Sequence, residues 1–160
     1  MTDALAEARI ALARLTQIAI LRGAGALVLL AALAVALALA TYSSGDPSLN
    51  NATGRPVDNW LGPLGATAAD VLLQAFGIAA FAFLAPLAVW GGRAMMGKGL
   101  TRAVSRAVAW PLGTVLVAAG LGMFTPPQSL PAVAGGWIGI AASNLSKYAG
   151  QVYGQHWIGW

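Results

Sequence analysis

Residues 71–92 carry no charged side chain. Wound as a helix at 1.5 Å per residue, a stretch of that length rises about 33 Å and crosses a hydrocarbon core of about 30 Å. A soluble domain that buried such a run would need polar surface elsewhere to cover it. The chain has little: 58% of its 160 residues are apolar and only 9% are charged. That balance points to a membrane protein.

Two further apolar runs, 23–42 and 107–124, have the length of spans. The first sets about eight Leu or Val residues on an alanine background, worth roughly −2 to −5 kcal/mol on the insertion scale before small-residue penalties. The second is weaker, with three glycines, and Pro111 is read near its start, where amides lack intrahelical partners. The stretch with most residues of known character lies just ahead of 71–92: Asn59-Trp60-Leu61-Gly62-Pro63-Leu64-Gly65-Ala66, then Ala69-Asp70, Phe76-Gly77 and Ala80. With Tyr42 and Asp46-Pro47-Ser48 before it, and Gly135-Gly136 with Gly139 after it, this text resembles the membrane domain of the FtsK family of bacterial DNA translocases. The resemblance runs over most of residues 40–150 and includes none of the family's motor.

The reading is an all-α, polytopic helical membrane protein with three complete transmembrane helices and a periplasmic amphipathic helix at the interface. Residues 1–22 form a mixed-charge leader and 23–42 the first span. A loop follows at 43–69, the second span at 70–90, a basic loop at 91–106, and the third span at 107–124. Residues 125–160 form a last segment with an amphipathic helix at 136–153. There Trp137, Ala141, Leu145, Tyr148 and Val152 share one face, and Ser143, Asn144, Ser146, Lys147 and Gln151 the other. By the family pattern a fourth span comes next, expected outside these 160 residues. Cleavage after Ala40 as a signal peptide is the competing reading of the first run, opposed by a leader with two acids and an apolar run longer than a usual signal core.

Orientation follows from Lys and Arg: three in the leader, Arg55 in the first loop, Arg93, Lys98, Arg102 and Arg106 in the second, and Lys147 in the tail. The leader and second loop are then cytoplasmic, and the first loop and tail periplasmic. Trp60, Trp90, Trp110, Trp137, Trp157 and Trp160 fall at or beyond span ends, as an aromatic belt requires.

No catalytic, cofactor-binding or metal-ligating constellation is expected. The spacing of Gly92, Gly97 and Lys98 imitates a phosphate-binding loop, but Gly99 stands where a magnesium-binding hydroxyl belongs. His156 is a lone histidine, and zero cysteines remove thiolate chemistry. Asp46, Pro47, Ser48, Asn59, Gly62, Gly65 and Asp70 are the candidate periplasmic partner surface, with Asp70 read as a carboxylate in the first turn of the second span. Gln74, Gly77, Gly113 and Gly120 are the candidate helix-packing residues, and Pro86 is expected to kink the second span.

By resemblance, the chain anchors and targets to the division septum a motor that pumps double-stranded DNA with ATP. Its partners are then the lipid bilayer, other division proteins and further copies of the full-length protein, with no direct nucleic acid contact by this chain. A small channel or transporter subunit is the alternative, disfavoured because no ionisable side chain falls in the middle of a span.

Overall fold

The computed structural model describes residues 2–99, 101–124 and 134–154, and all regular structure among them is helical. Five helices follow in order: α1 Thr2–Ala40, α2 Gly62–Phe76, α3 Ala79–Met95, α4 Ala103–Leu121 and α5 Gly136–Gly154. The prolines at 126, 127 and 131, together with His156, Trp157 and Trp160, lie outside the described residues.

Leader and first apolar run form one helix, because the alanine and leucine background continues across Arg22 and Gly23 without a breaker. Thirty-nine residues of helix extend about 58 Å, nearly twice a hydrocarbon core. Along its second half α1 lies against α3. The two backbones meet where Gly25 faces Gly91: a methyl at Gly25 would stand 2.7 Å from the Gly91 carbonyl oxygen and 2.6 Å from the Met95 nitrogen. At the other end of the pair Ala38, Leu39, Ala69, Leu73, Ala80 and Leu84 form the buried cluster. On α1 itself Ala32 is buried, whereas Ala40 is exposed.

The helix expected over 70–90 is not continuous. It breaks at Gly77 and Ile78, and the chain turns through 111° between α2 and α3. Gly77 holds φ 58° and ψ −138°, a conformation open to glycine and costly for other residues. Its amide closes the last turn of α2 on the Leu73 carbonyl (2.8 Å), while the Ile78 amide donates to Ala134, just ahead of α5 (2.8 Å). Pro86, expected to kink this segment, sits inside α3, which runs on past it to Met95.

The last part of the expected loop 43–69 is also helical. Pro63 occupies the first turn of α2, where a missing N–H leaves no bond unmade, so helix begins at Gly62 and Asp70 lies mid-helix instead of in the first turn. α4 likewise starts earlier than expected, at Ala103 after Arg102 with φ 55°, which places Pro111 in its interior. By length and composition α1 and α4 can each cross a membrane, and α2 with α3 passes that test only as a bent pair. The outer faces of α1 and α4 leave Leu27, Leu30, Leu33, Val108, Leu112 and Leu116 exposed. Apolar surface on that scale marks contact with lipid.

Candidate functional site

The polar residues of the first loop converge on the ends of α1 and α2. α1 stops at Ala40, leaving its last carbonyls without helical donors. The Asn59 side-chain amide supplies them, donating to Ala38 at 2.8 Å and to Thr41 at 3.2 Å, and its own oxygen accepts from the Leu61 amide at 3.1 Å. Thr41 Oγ1 donates back to Leu37 and accepts from the Trp60 amide. Asn59 fits only because Gly65 has no side chain: a methyl there would collide with Asn59 Oδ1.

Asp46 performs the same service for the returning strand of the loop. Its Oδ1 accepts from the Asp58 amide at 2.8 Å and its Oδ2 from the Asn59 amide at 3.1 Å, with the residue only 3% exposed. A carboxylate that accepts backbone N–H bonds is a strong, charge-assisted anchor. Asp70 joins the other wall. Tyr42 Oη donates to its Oδ1 (3.2 Å), Gln74 Nε2 donates to its Oδ2 (2.9 Å), and Asn50 in turn donates to Gln74 Oε1 (2.8 Å). Tyr42 lies past the end of α1, in the loop. Burial first, then the nearby Asp70 charge and hydrogen bond, and more weakly Asp46, push its phenol up to about 12.

Asp46, Asn59 and Asp70 are thus an internal frame, at 3%, 4% and 6% exposure, and a molecule approaching this end would not touch them. Pro47, Ser48 and Gly62 are half-buried, and Gly65 is buried. Facing outward are the apolar Leu49, Trp60 and Leu64, each more than three-quarters exposed, beside the exposed polar residues Ser44, Asn50, Arg55 and Asp58.

The predicted packing residues divide. Gln74 connects loop to helix, and Gly77 meets the Ala134 carbonyl so closely that a methyl would overlap it. Among the described residues nothing stands against Gly113 or Gly120. The close approach of α4 to α5 is made instead by Gly122 against Gly139, with Gly135 against the Ala118 carbonyl. A small-residue signal was legible at these positions, but which glycine meets which backbone depends on the crossing of helices far apart in sequence.

α5 follows the expected bounds closely, and among its apolar residues Trp137, Leu145 and Tyr148 are about two-thirds exposed. Between α3 and α4, Trp110 Nε1 donates to the Phe83 carbonyl at 2.7 Å, and its ring packs tilted against Phe83 and edge-on to Trp90. Among the described residues no cluster of His, Cys, Asp or Glu is placed to hold a metal.

Long apolar helices with lipid-facing outer surfaces, packed through glycine and closed at one end by a polar loop, define a polytopic helical membrane domain. The family model described as the 4TM region of DNA translocase FtsK/SpoIIIE matches residues 19–158, so the chain belongs to that family. It is a multi-pass membrane region. The chain is 41% identical over 131 residues to the DNA translocase FtsK of Brucella melitensis, an alignment covering 81% of this chain and 16% of that protein. The FtsK proteins of Agrobacterium fabrum and Mesorhizobium japonicum are 40% and 38% identical, over 69% and 72% of this chain and 13% of each relative. The chain therefore spans about one sixth or less of the length of these relatives. No solved structure matches it.

Proposed function

We propose that this chain is the inner-membrane anchor of a DNA translocase, holding an ATP-driven motor at the division septum. The observation that carries the reading is the family match over 19–158, laid on a chain whose helices expose apolar faces on the scale of a bilayer. The second half of α1, α3 and α4 are the three membrane crossings in this reading. α3 has 17 residues, about 26 Å of helix, and packs lengthwise on α1. α2, turned through 111°, then lies across the end of the bundle with the first loop.

In the same reading the first loop and α5 face the periplasm and the leader and second loop the cytoplasm, as the Lys and Arg distribution favours. α5 lies at the membrane surface with Trp137, Leu145 and Tyr148 toward lipid or a neighbouring protein. The frame of Asp46, Asn59 and Asp70 holds the loop so that Pro47, Ser48, Gly62 and the exposed apolar residues beside them form a surface for other division proteins. Copies of the full-length protein associate through the membrane domain, and Gly113 and Gly120 are open for close helix approach.

Single cysteines test the topology, since the chain has none of its own. In intact cells carrying the full-length protein, cysteines at Ser48 and Ser143 react with a membrane-impermeant maleimide and one at Gly97 does not. Labelling at Gly97, or protection of Ser48, overturns the orientation. A fluorescent fusion of residues 1–160 that stays uniformly distributed over the envelope in dividing cells overturns the septal role.

A further inference from the structure

A cleft of about 540 Å³ between α3 and α4 takes no part in the anchoring just described. Pro86, Val89, Trp90 and Trp110 form its apolar wall, and Arg93 and Arg106 stand in the same lining. Helical spacing explains the arrangement. Arg93 follows Pro86, Val89 and Trp90 by seven, four and three residues, and Arg106 precedes Trp110 by four, so each helix sets its cation on the face that carries its tryptophan. Both arginines lie at the helix ends that the second loop joins.

Among the described residues no carboxylate pairs with them. All five carboxylates of the chain occur at or before Asp70, and the second loop adds two more cations, Lys98 and Arg102. Among the described residues the Arg93 Nε is buried without a hydrogen-bond partner, and its Nη2 makes only a long contact of 3.5 Å to the Gly99 carbonyl. A buried guanidinium N–H with no acceptor is costly, and an entering anion would relieve it.

The chemistry that fits is an anion joined to a hydrocarbon body. A free phosphate would leave the wall of Pro86, Val89 and Trp110 bare, and a neutral alkyl chain would leave the arginines unanswered. We propose that this cleft binds an anionic phospholipid, with its phosphate at Arg93 and Arg106 and the start of an acyl chain along Val89, Pro86 and Trp110. The inference rests on the reading that α3 and α4 cross the membrane.

Native mass spectrometry of the purified full chain, released from detergent with equimolar phosphatidylglycerol and phosphatidylcholine, provides the test. The expected result is preferential retention of phosphatidylglycerol, reduced roughly tenfold or more in the R93Q/R106Q double variant, since each basic residue near an anionic surface contributes about a fivefold factor. The control K98Q/R102Q removes the same charge outside the cleft and should keep the preference within about twofold. Should R93Q/R106Q fold poorly, R93K/R106K keeps the charge but loses the planar fork and should retain part of the preference. Equal retention of both lipids, an equal loss in K98Q/R102Q, or full competition by glycerol 3-phosphate overturns the proposal. Resistance of the variants to carbonate extraction from membranes reports on anchoring separately, so a failed lipid site is distinguishable from a failed anchor.

Discussion

The side-chain amide of Asn59 donates to the carbonyl of Ala38 at 2.8 Å, so a residue at the far end of the first loop closes the helix from which that loop departs. The bond is buried, and a second reaches Thr41 at 3.2 Å. Replacement by alanine strands acceptors that water cannot readily reach. Asn59→Ala should therefore destabilise the domain by about 1–3 kcal/mol. Thermal unfolding in detergent measures it, and an unchanged midpoint would show that the bond carries no net stability.

Asp46 predicts a graded series. Asp46→Asn keeps an acceptor for one of the two backbone amides but removes the charge, whereas Asp46→Ala removes both acceptors. The expected order of stability is wild type, Asn, Ala, with the alanine variant lower by about 1.5–3 kcal/mol, the range for bonds to a charged group. Since the side chain is buried, any loss of septal recruitment should track loss of loop structure, measured by protease sensitivity between residues 43 and 61. Lost recruitment with an intact loop would make Asp46 a contact residue after all.

Tyr42 supplies a pH signature. Its phenol ionises near 12 in place of the usual 10, so the folded state holds the proton more tightly than the unfolded chain. Its contribution to stability is complete below about pH 10 and is lost as pH rises through 12. Ultraviolet titration of the folded protein, read as the difference from a Tyr42→Phe variant, should show Tyr42 ionising well above the usual 10. Asp70→Asn should bring it only part of the way back, because burial, the largest cause, remains. Ionisation of Tyr42 near 10 in the wild type would contradict the packing of this end.

Gly77→Ala tests the bend. The residue needs φ 58°, and a methyl group would overlap the Ala134 carbonyl. Backbone strain alone is worth about 1–3 kcal/mol, so the variant should lose thermal stability at least on that scale. The steric clash should also move the start of α5. Distances between spin labels on α2 and α5 would register the change. A variant as stable as wild type, with unchanged distances, would mean that α2 and α3 do not meet as described.

Gly113 and Gly120 give the opposite outcome. Neither meets another group among the described residues, so Gly120→Ala should leave the isolated domain as stable as before or stabilise it by up to about 1 kcal/mol through helix propensity. If copies associate through this face as proposed, Gly113→Leu with Gly120→Leu should weaken self-association of the full-length protein in membranes, read by cross-linking. Unaltered cross-linking would remove this face from the subunit interface.

Apolar run length and charge placement were enough to reveal a helical membrane domain, because insertion into a bilayer depends on summed hydrophobicity along contiguous residues. A helix over 136–153 was legible for a similar reason, its pattern being local, and α5 runs Gly136–Gly154. The turn-forming residues of the first loop were visible too, and so was the family text around Asn59 and Gly62. Only the tertiary structure decided what these residues do. Gly62-Pro63 and Gly65 fall in the expected loop but start a helix, since proline is tolerated in a first turn and Gly65 makes room for Asn59. Asp46 and Asp70 read as surface carboxylates but are buried, because their partners come from Asp58, Asn59, Tyr42 and Gln74 across the loop. The apolar stretch that read as one span is divided at Gly77, whose positive φ is held by a bond from Ile78 to Ala134, 56 residues further along the chain. Local pattern determines whether a segment is helical and apolar. Where a helix ends, and which polar group is buried, depends on contacts that exist only once distant segments have met.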